Sequence, residues 1–245
     1  NAGAGAPVAL PAGFPLADAA FGRAGPDLVL TAAGLPPVVV RGFFAGDSQP
    51  TLTTPEGARI AGELAARLAG PLAPAQLASG EMPASPDAIG RVETLSGHAF
   101  VVRADGTRVE LAVGSRLHAG DVMETGGDGA VGVILADETS MSMGPQGRMV
   151  LDEMVYDPGT QEGSMSLSVI KGVYTIVSGL ASKTDPDAMV INTPVGSIGI
   201  RGTQVGLEIP DGQNLNVVMM REGDGYVGEV FIRNAGGLQV MNQAN

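Results

Sequence analysis

Apolar and polar positions change rhythm twice along this chain. From Asn1 to Pro15, alanine, glycine and proline dominate without a charge or a period. That predicts an arm over 1–15, disordered alone or extended along a neighbouring molecule. Over 16–70 the pattern predicts a small hairpin-plus-helix region. Asp27-Leu28-Val29-Leu30-Thr31 and Val38-Val39-Val40 are β-rich runs around Ala33-Gly34, with Phe43-Phe44 beyond. Thr53-Thr54-Pro55-Glu56 reads as a helix start. Thr53 and Glu56 have capping-box spacing, Pro55 suits a first turn, and Ile60, Leu64 and Leu68 recur on one face before Gly70-Pro71. Residues 71–88 are a linker by composition.

From Ile89 the texture becomes short β-rich runs separated by Gly and Asp turns, as an all-β domain over 89–245 requires. Asp105-Gly106 is a hairpin turn between His98–Arg103 and Arg108–Val113. Met165, Leu167 and Val169 alternate with Ser164, Ser166 and Ser168, a one-sided strand. After Lys171-Gly172, Val173–Val177 is β-rich throughout, which predicts burial on both faces. The chain centres on Met189–Ile209. There Thr193-Pro194 denies a ladder hydrogen bond, Gly196, Gly199 and Gly202 recur every third residue, and Val205, Leu207 and Ile209 alternate with Gln204, Gly206 and Glu208. The expected fold is mainly β: a solenoid-like stack of rungs or a sandwich, preceded by a small α+β region with one helix.

Composition narrows the function classes. The 245 residues and 44% hydrophobic content are ample for a core, and 37 Gly with 17 Pro favour turns over long helices. A net charge of −12 argues against a nucleic-acid partner, since phosphate binding needs a basic patch. The chain has no cysteine, which excludes disulfides, thiolate metal sites and cysteine nucleophiles. No apolar run is long enough for a transmembrane helix. Beginning at Asn1 and ending in a β-rich run, the sequence is expected to be a processed piece of a protein that continues past Asn245.

Candidate chemistry is sparse. His98 and His118 are far apart in sequence, neither with a neighbouring His or Cys, and the Gly196/Gly199/Gly202 spacing lacks the ending of a phosphate loop. Asp105, Asp121, Asp128, Asp137 and Asp211 fall at predicted turns. Pooled, they would suit calcium; singly, they are turn chemistry, the reading preferred here. Arg201 is the one charge between Ala188 and Val205. It is expected to be anchored by a carboxylate or several carbonyls, clamping the Gly-rich bend, with a ligand-binding arginine as the other reading. No catalytic residue, cofactor or metal ligand is assigned, and the expectation is a protein that is not an enzyme.

The run Asn192-Thr193-Pro194, followed by Ile198-Gly199-Ile200-Arg201-Gly202-Thr203, resembles the FecR-domain family, whose motif reads roughly "TP … RGT". Gly90-Arg91-Val92, Gly97, Gly120-Asp121 and Arg221-Glu222-Gly223 extend the resemblance over about residues 89–241. It implies an all-β domain outside the cytoplasm, with Thr193, Pro194, Gly199, Arg201, Gly202 and Thr203 as a structural motif and no catalytic residues. The family takes its name from a periplasmic regulator that relays a surface signal to a sigma factor. That regulator adds a transmembrane helix and a cytoplasmic helical segment, neither visible here. The Asp27–Phe44 stretch is similar to a prefix at the amino end of large bacterial surface adhesins. The function expected is therefore a non-enzymatic structural or adhesive module of the cell surface or extracellular space. It would self-assemble into a homo-oligomer or polymer through β-edges and the arm, and touch a surface or matrix partner. A periplasmic signal-relay domain is the alternative.

Overall fold

A computed structural model describes residues 6–46, 48–70, 88–185, 187–220, 227–234 and 236–243. The all-β region is built of strands β7 (Gly90–Ser96), β8 (Ala99–Val102), β9 (Arg108–Glu110), β10 (Arg116–Leu117), β11 (Val122–Thr125), β12 (Ala130–Leu135) and β13 (Ser140–Met143). There follow β14 (Arg148–Asp157), β15 (Glu162–Val177), the short helix α2 (Ala181–Thr184), β16 (Met189–Thr193), β17 (Gly196–Arg201), β18 (Gln204–Ile209), β19 (Asn216–Met220), β20 (Glu229–Asn234) and β21 (Gly237–Met241). Numbers β1 to β6 and α1 belong to the amino-terminal unit described below.

Of the two architectures expected, the chain takes the sandwich. The first sheet runs β10-β7-β12-β13-β15-β18-β19 and the second β9-β8-β11-β14-β15-β16-β17-β20-β21. Rungs of a solenoid would stack one coil on the next. Here nearly every pairing is antiparallel, β15 with β16 being the parallel exception within the two sheets. Alternation sends Val92, Val133, Met141, Ile176, Val205 and Met219 inward from the first sheet. Val101, Met123, Met149, Leu167, Ile191 and Ile198 meet them from the second, in one dry cluster. Each such side chain contributes about 1.5–3 kcal/mol on burial.

β15 is a single strand of 16 residues where the sequence predicts two. Lys171-Gly172 does not end it but bends it. Residues up to Lys171 pair with β14, and residues from Gly172 pair with β18. Gly172 has φ +119°, and a Cβ there would lie 2.6 Å from the Gly147 Cα. The Tyr174 hydroxyl donates to the Lys171 carbonyl across the bend at 2.6 Å. Burial of Val173–Val177 on both faces is not observed. Val173 is 51% exposed, because nothing described covers the outer side of the first sheet at this strand.

The amino-terminal unit differs more from its expectation. Its strands are β1 (Val8–Ala9), β2 (Ala20–Ala24), β3 (Asp27–Thr31), β4 (Val38–Val40), β5 (Leu52–Thr53) and β6 (Arg59–Ile60), before helix α1 (Gly62–Leu68). The predicted hairpin is present as β3–β4 and gains β2 as a third strand. The predicted helix is shorter. Thr53 lies in a strand, Pro55 and Gly57 (φ +103°) turn the chain, and Ile60 pairs with Leu52. Glu56 does not reach back to cap a helix; its Oε1 accepts from the Gly13 backbone N–H at 2.8 Å. Within the predicted arm, residues 6–15 lie against their own chain. Val8 pairs in parallel with Leu52, and Leu10 and Phe14 are buried. These apolar anchors, spaced through an Ala/Gly/Pro background, make the segment cohere despite its composition. The linker expected at 71–88 falls almost entirely outside the described residues.

This unit packs on the outer face of the second sheet. Val122, Val150 and Ile170 point away from the sandwich interior and join Leu10, Phe14, Leu28, Leu52 and others in a second core. β14 is therefore buried on both sides, with Met149 and Leu151 facing inward and Val150 outward. The unit covers β11, β14 and part of β15, touches β16 and β17 at the tip of their hairpin, and leaves a groove over β16, β17, β20 and β21.

Candidate functional site

The motif residues Thr193 to Thr203 form two structural joints. The Thr193 Oγ1 accepts from the Gly196 N–H at 3.1 Å and donates to the Gly196 carbonyl at 2.7 Å, closing the hairpin between β16 and β17. At its tip the Pro194 carbonyl accepts from the Arg59 N–H at 2.9 Å, tying the hairpin to the amino-terminal unit. Arg201, Gly202 and Thr203 make the corner by which the chain leaves the second sheet for the first. Gly202 supplies φ +55°. Thr203 is fully buried; its N–H donates to Ser178 Oγ at 3.0 Å and its hydroxyl to the Met220 carbonyl at 3.3 Å. Gly199, mid-strand in β17, leaves open space over the sheet: a Cβ there would meet only the Phe231 Cβ, at 3.9 Å.

Arg201 stands at the outer edge of this corner, 36% exposed. Its Nη1 lies 3.2 Å from Glu229 Oε2 and its Nη2 3.2 Å from Asp187 Oδ1. The guanidinium sits 4.3 Å from the Phe231 ring centre. The Asp187 contact, opposed by partial desolvation and helped by Glu229, holds its pKa above the usual arginine value. The anchoring carboxylates come from the turn before β16 and from β20.

Two hollows lie on the outer face of the second sheet. A groove of about 530 Å³ runs over β16, β17, β20 and β21, with Val190, Gly199, Arg201, Phe231 and Leu238 among its walls. Beside it, where α1 and β6 overhang β14 to β16, is a cleft of about 830 Å³. Arg59, Arg67 and Arg233 line it together with Glu63, Asp152 and Glu153, so its charge is mixed. At its base the Asp152 Oδ1 accepts from Arg67 at 2.7 Å and its Oδ2 from Ser168 Oγ at 2.6 Å. Burial pushes the Asp152 pKa up, against the downward pull of Ser168 and Arg67. None of these residues was singled out from the sequence. A readable signal was present: Asp152 and Glu153 interrupt the otherwise apolar run Met149–Val155, and a carboxylate buried there needs partners.

The histidines are not part of either hollow. His98 is exposed, with Nδ1 2.9 Å from Glu110, and that contact, with Asp128 nearby, raises its pKa. His118 Nδ1 accepts from Arg103 at 3.0 Å, and Arg103 also donates to the buried Asp121. The five turn aspartates stay apart. Asp105 accepts from the Thr107 N–H, Asp137 from the Thr139 N–H and hydroxyl, and Asp211 from the Gln213 and Asn214 N–H groups. Asp121 is committed to Arg103 and the His118 N–H. No group of three metal-capable side chains is brought together among the described residues.

Two packed sheets, a covering layer and open hollows define a β-sandwich module whose distinguishing features are surfaces. Residues 121–223 match the family model described as FecR protein, so the chain carries a FecR domain. The match begins at the buried Asp121 and contains β15 and the Arg201–Thr203 corner, the joints that hold the two sheets together. No curated protein and no solved structure matches the chain.

Proposed function

We propose that the chain is a non-enzymatic, envelope-located FecR-type relay module that passes a signal by binding another protein. The observation that carries this reading is the family match over residues 121–223, whose strands β16 and β17 contribute to an open outer surface. A partner entering the groove over Gly199 would meet Val190, Phe231 and the Arg201 guanidinium together. No described helix is long and apolar enough to cross a membrane.

A second reading, a structural or adhesive surface module, is favoured by a different observation. The adhesin-like stretch Asp27–Phe44 is an integral part of the layer packed on the FecR domain, with Leu28, Leu30 and Phe43 in the same cluster as Val150 and Ile170. One experiment separates the two: deletion of residues 89–245 in the source organism, followed by transcript profiling and an adherence assay. A relay module shifts a defined set of transcripts. Unchanged transcripts with lost adherence would remove the relay reading.

A further inference from the structure

We propose that the cleft between α1 and the second sheet binds a short free peptide. The peptide's carboxylate would lie at the β16–β17 hairpin and its ammonium beside the Arg67–Asp152 pair. The inference holds under either functional reading.

The floor of the cleft is one polar row laid across the second sheet. Glu153 on β14 is opposite Ser166 on β15. The Asn192 Nδ2 on β16 donates to Ser166 Oγ at 3.3 Å. Asn192 is opposite Ser197 on β17, and Ser197 is opposite Arg233 on β20. Their neighbours Met165, Leu167, Ile191 and Ile198 face the sandwich interior, so the row faces outward. A register shift between Leu151 and Glu153 bulges β14 and turns both Asp152 and Glu153 to the cleft.

The row has unlike ends. Asp152 accepts from Arg67 and Ser168, but among the described residues the side chains of Glu153 and Arg233 have no partner. The overhanging layer repeats the polarity. Glu63, one turn before Arg67 on α1, flanks the Glu153 end. Arg59, whose N–H donates to the Pro194 carbonyl, flanks the Arg233 end. Neither side chain is partnered among the described residues. A lone anion would be repelled at one end and a lone cation at the other. A ligand oppositely charged at its two ends is attracted at both. Among the described residues no aromatic ring lines the cleft to give a sugar a flat platform. Length follows from strand spacing. Four steps of about 4.8 Å from β14 to β20 make a row of roughly 19 Å, which an extended chain of about four to six residues spans at about 3.4 Å each. The cleft volume of about 830 Å³ is in the usual range for ligand sites.

The test uses the whole chain and random pentapeptides, since recognition through the ends is common to every sequence. Four pools are compared: free, N-acetylated, C-amidated and blocked at both ends. The free pool should raise the melting temperature, and each blocked end should weaken binding about tenfold, the weight of a hydrogen bond to a charged group. Arg233→Gln should erase the preference for a free carboxylate and keep that for a free ammonium; Glu153→Gln should do the reverse. Arg59→Gln and Glu63→Gln, on the other wall, should act in the same two senses. Glu153 and Arg233 are exposed, so circular dichroism without peptide should be unchanged in their variants. A free pool that leaves the melt unmoved would overturn the proposal. Doubly blocked peptides that bind as tightly as free ones would do so too, because that is recognition of a segment within a longer chain. So would discrimination among the pools that survives all four variants.

Discussion

Burial and charge pull Asp121 in opposite directions. Its side chain is almost fully enclosed, and that desolvation raises its pKa despite the Arg103 guanidinium, His118 and a backbone N–H that favour the ionised form. A raised folded-state pKa means the native protein binds this proton more tightly than the unfolded chain does. The group's contribution is therefore most favourable at low pH and falls away as pH rises through the folded value. Arg103→Ala strips the charged form of its partner. The variant should lose about 3 kcal/mol at about pH 7, the low end for a broken buried pair, because the His118 N–H remains. The loss should shrink at acidic pH, where Asp121 protonates. Chemical denaturation of both proteins at the two pH values reads this; a penalty independent of pH would mean that packing, not charge, is what Arg103 supplies. Arg201 sits in a wetter place. Arg201→Ala should lower the melting temperature less than Arg103→Ala does, and Arg201→Lys should recover only part of it, since an ammonium cannot reach Asp187 and Glu229 together while lying over Phe231. The need for an anchor, by a carboxylate or several carbonyls, was legible from a lone charge in a neutral segment. Their identity was not, because Glu229 is 28 residues away and meets Arg201 only through the pairing of β17 with β20.

Elements were legible where one face met the core and illegible where tertiary contacts overrode local chemistry. The alternation of Val205, Leu207 and Ile209 foretells β18, and all three are buried. The Thr53–Glu56 capping signal failed because Leu52 found a better neighbour in Ile60, converting a helical first turn into a tight β-turn at Pro55 and Gly57. β15 failed differently: glycine usually interrupts a strand, yet Gly172 lets one strand serve both sheets by taking a backbone conformation closed to other residues. Gly172→Ala tests that role. The new Cβ would need φ +119° and would press on Gly147. The expected cost is about 1–3 kcal/mol for the strained backbone alone, with more from the clash. Gly199→Ala, in open mid-strand space, should be nearly neutral by the same thermal melt. Equal losses at the two positions would refute the assignment of the bend to Gly172.

At the scale of the whole molecule, the amino-terminal layer decides how much of the second sheet is available. It covers Val122, Val150 and Ile170 with apolar side chains and fastens itself at the rim by Lys171 to Asp18, Arg67 to Asp152 and Arg148 to the Ala19 carbonyl. Gly212 packs so closely on Ala17 that an added Cβ would come within 2.5 Å of the Ala17 Cβ, so the β18–β19 turn is fitted to the layer as well. A chain beginning at Ile89 keeps the sandwich interior but exposes the three outward apolar residues and leaves Asp152 without its arginine. At about 1.5–3 kcal/mol per uncovered side chain, the truncated chain should be less stable by several kcal/mol and should bind a hydrophobic dye that the full chain does not. Arg67→Ala in the full chain should give a smaller loss, because Asp152 keeps Ser168 and the apolar cover stays in place. If the truncated chain melts with the full one and stays dye-negative, the layer is separable from the FecR domain. The open groove over β16 to β21 would then be only part of a larger exposed face.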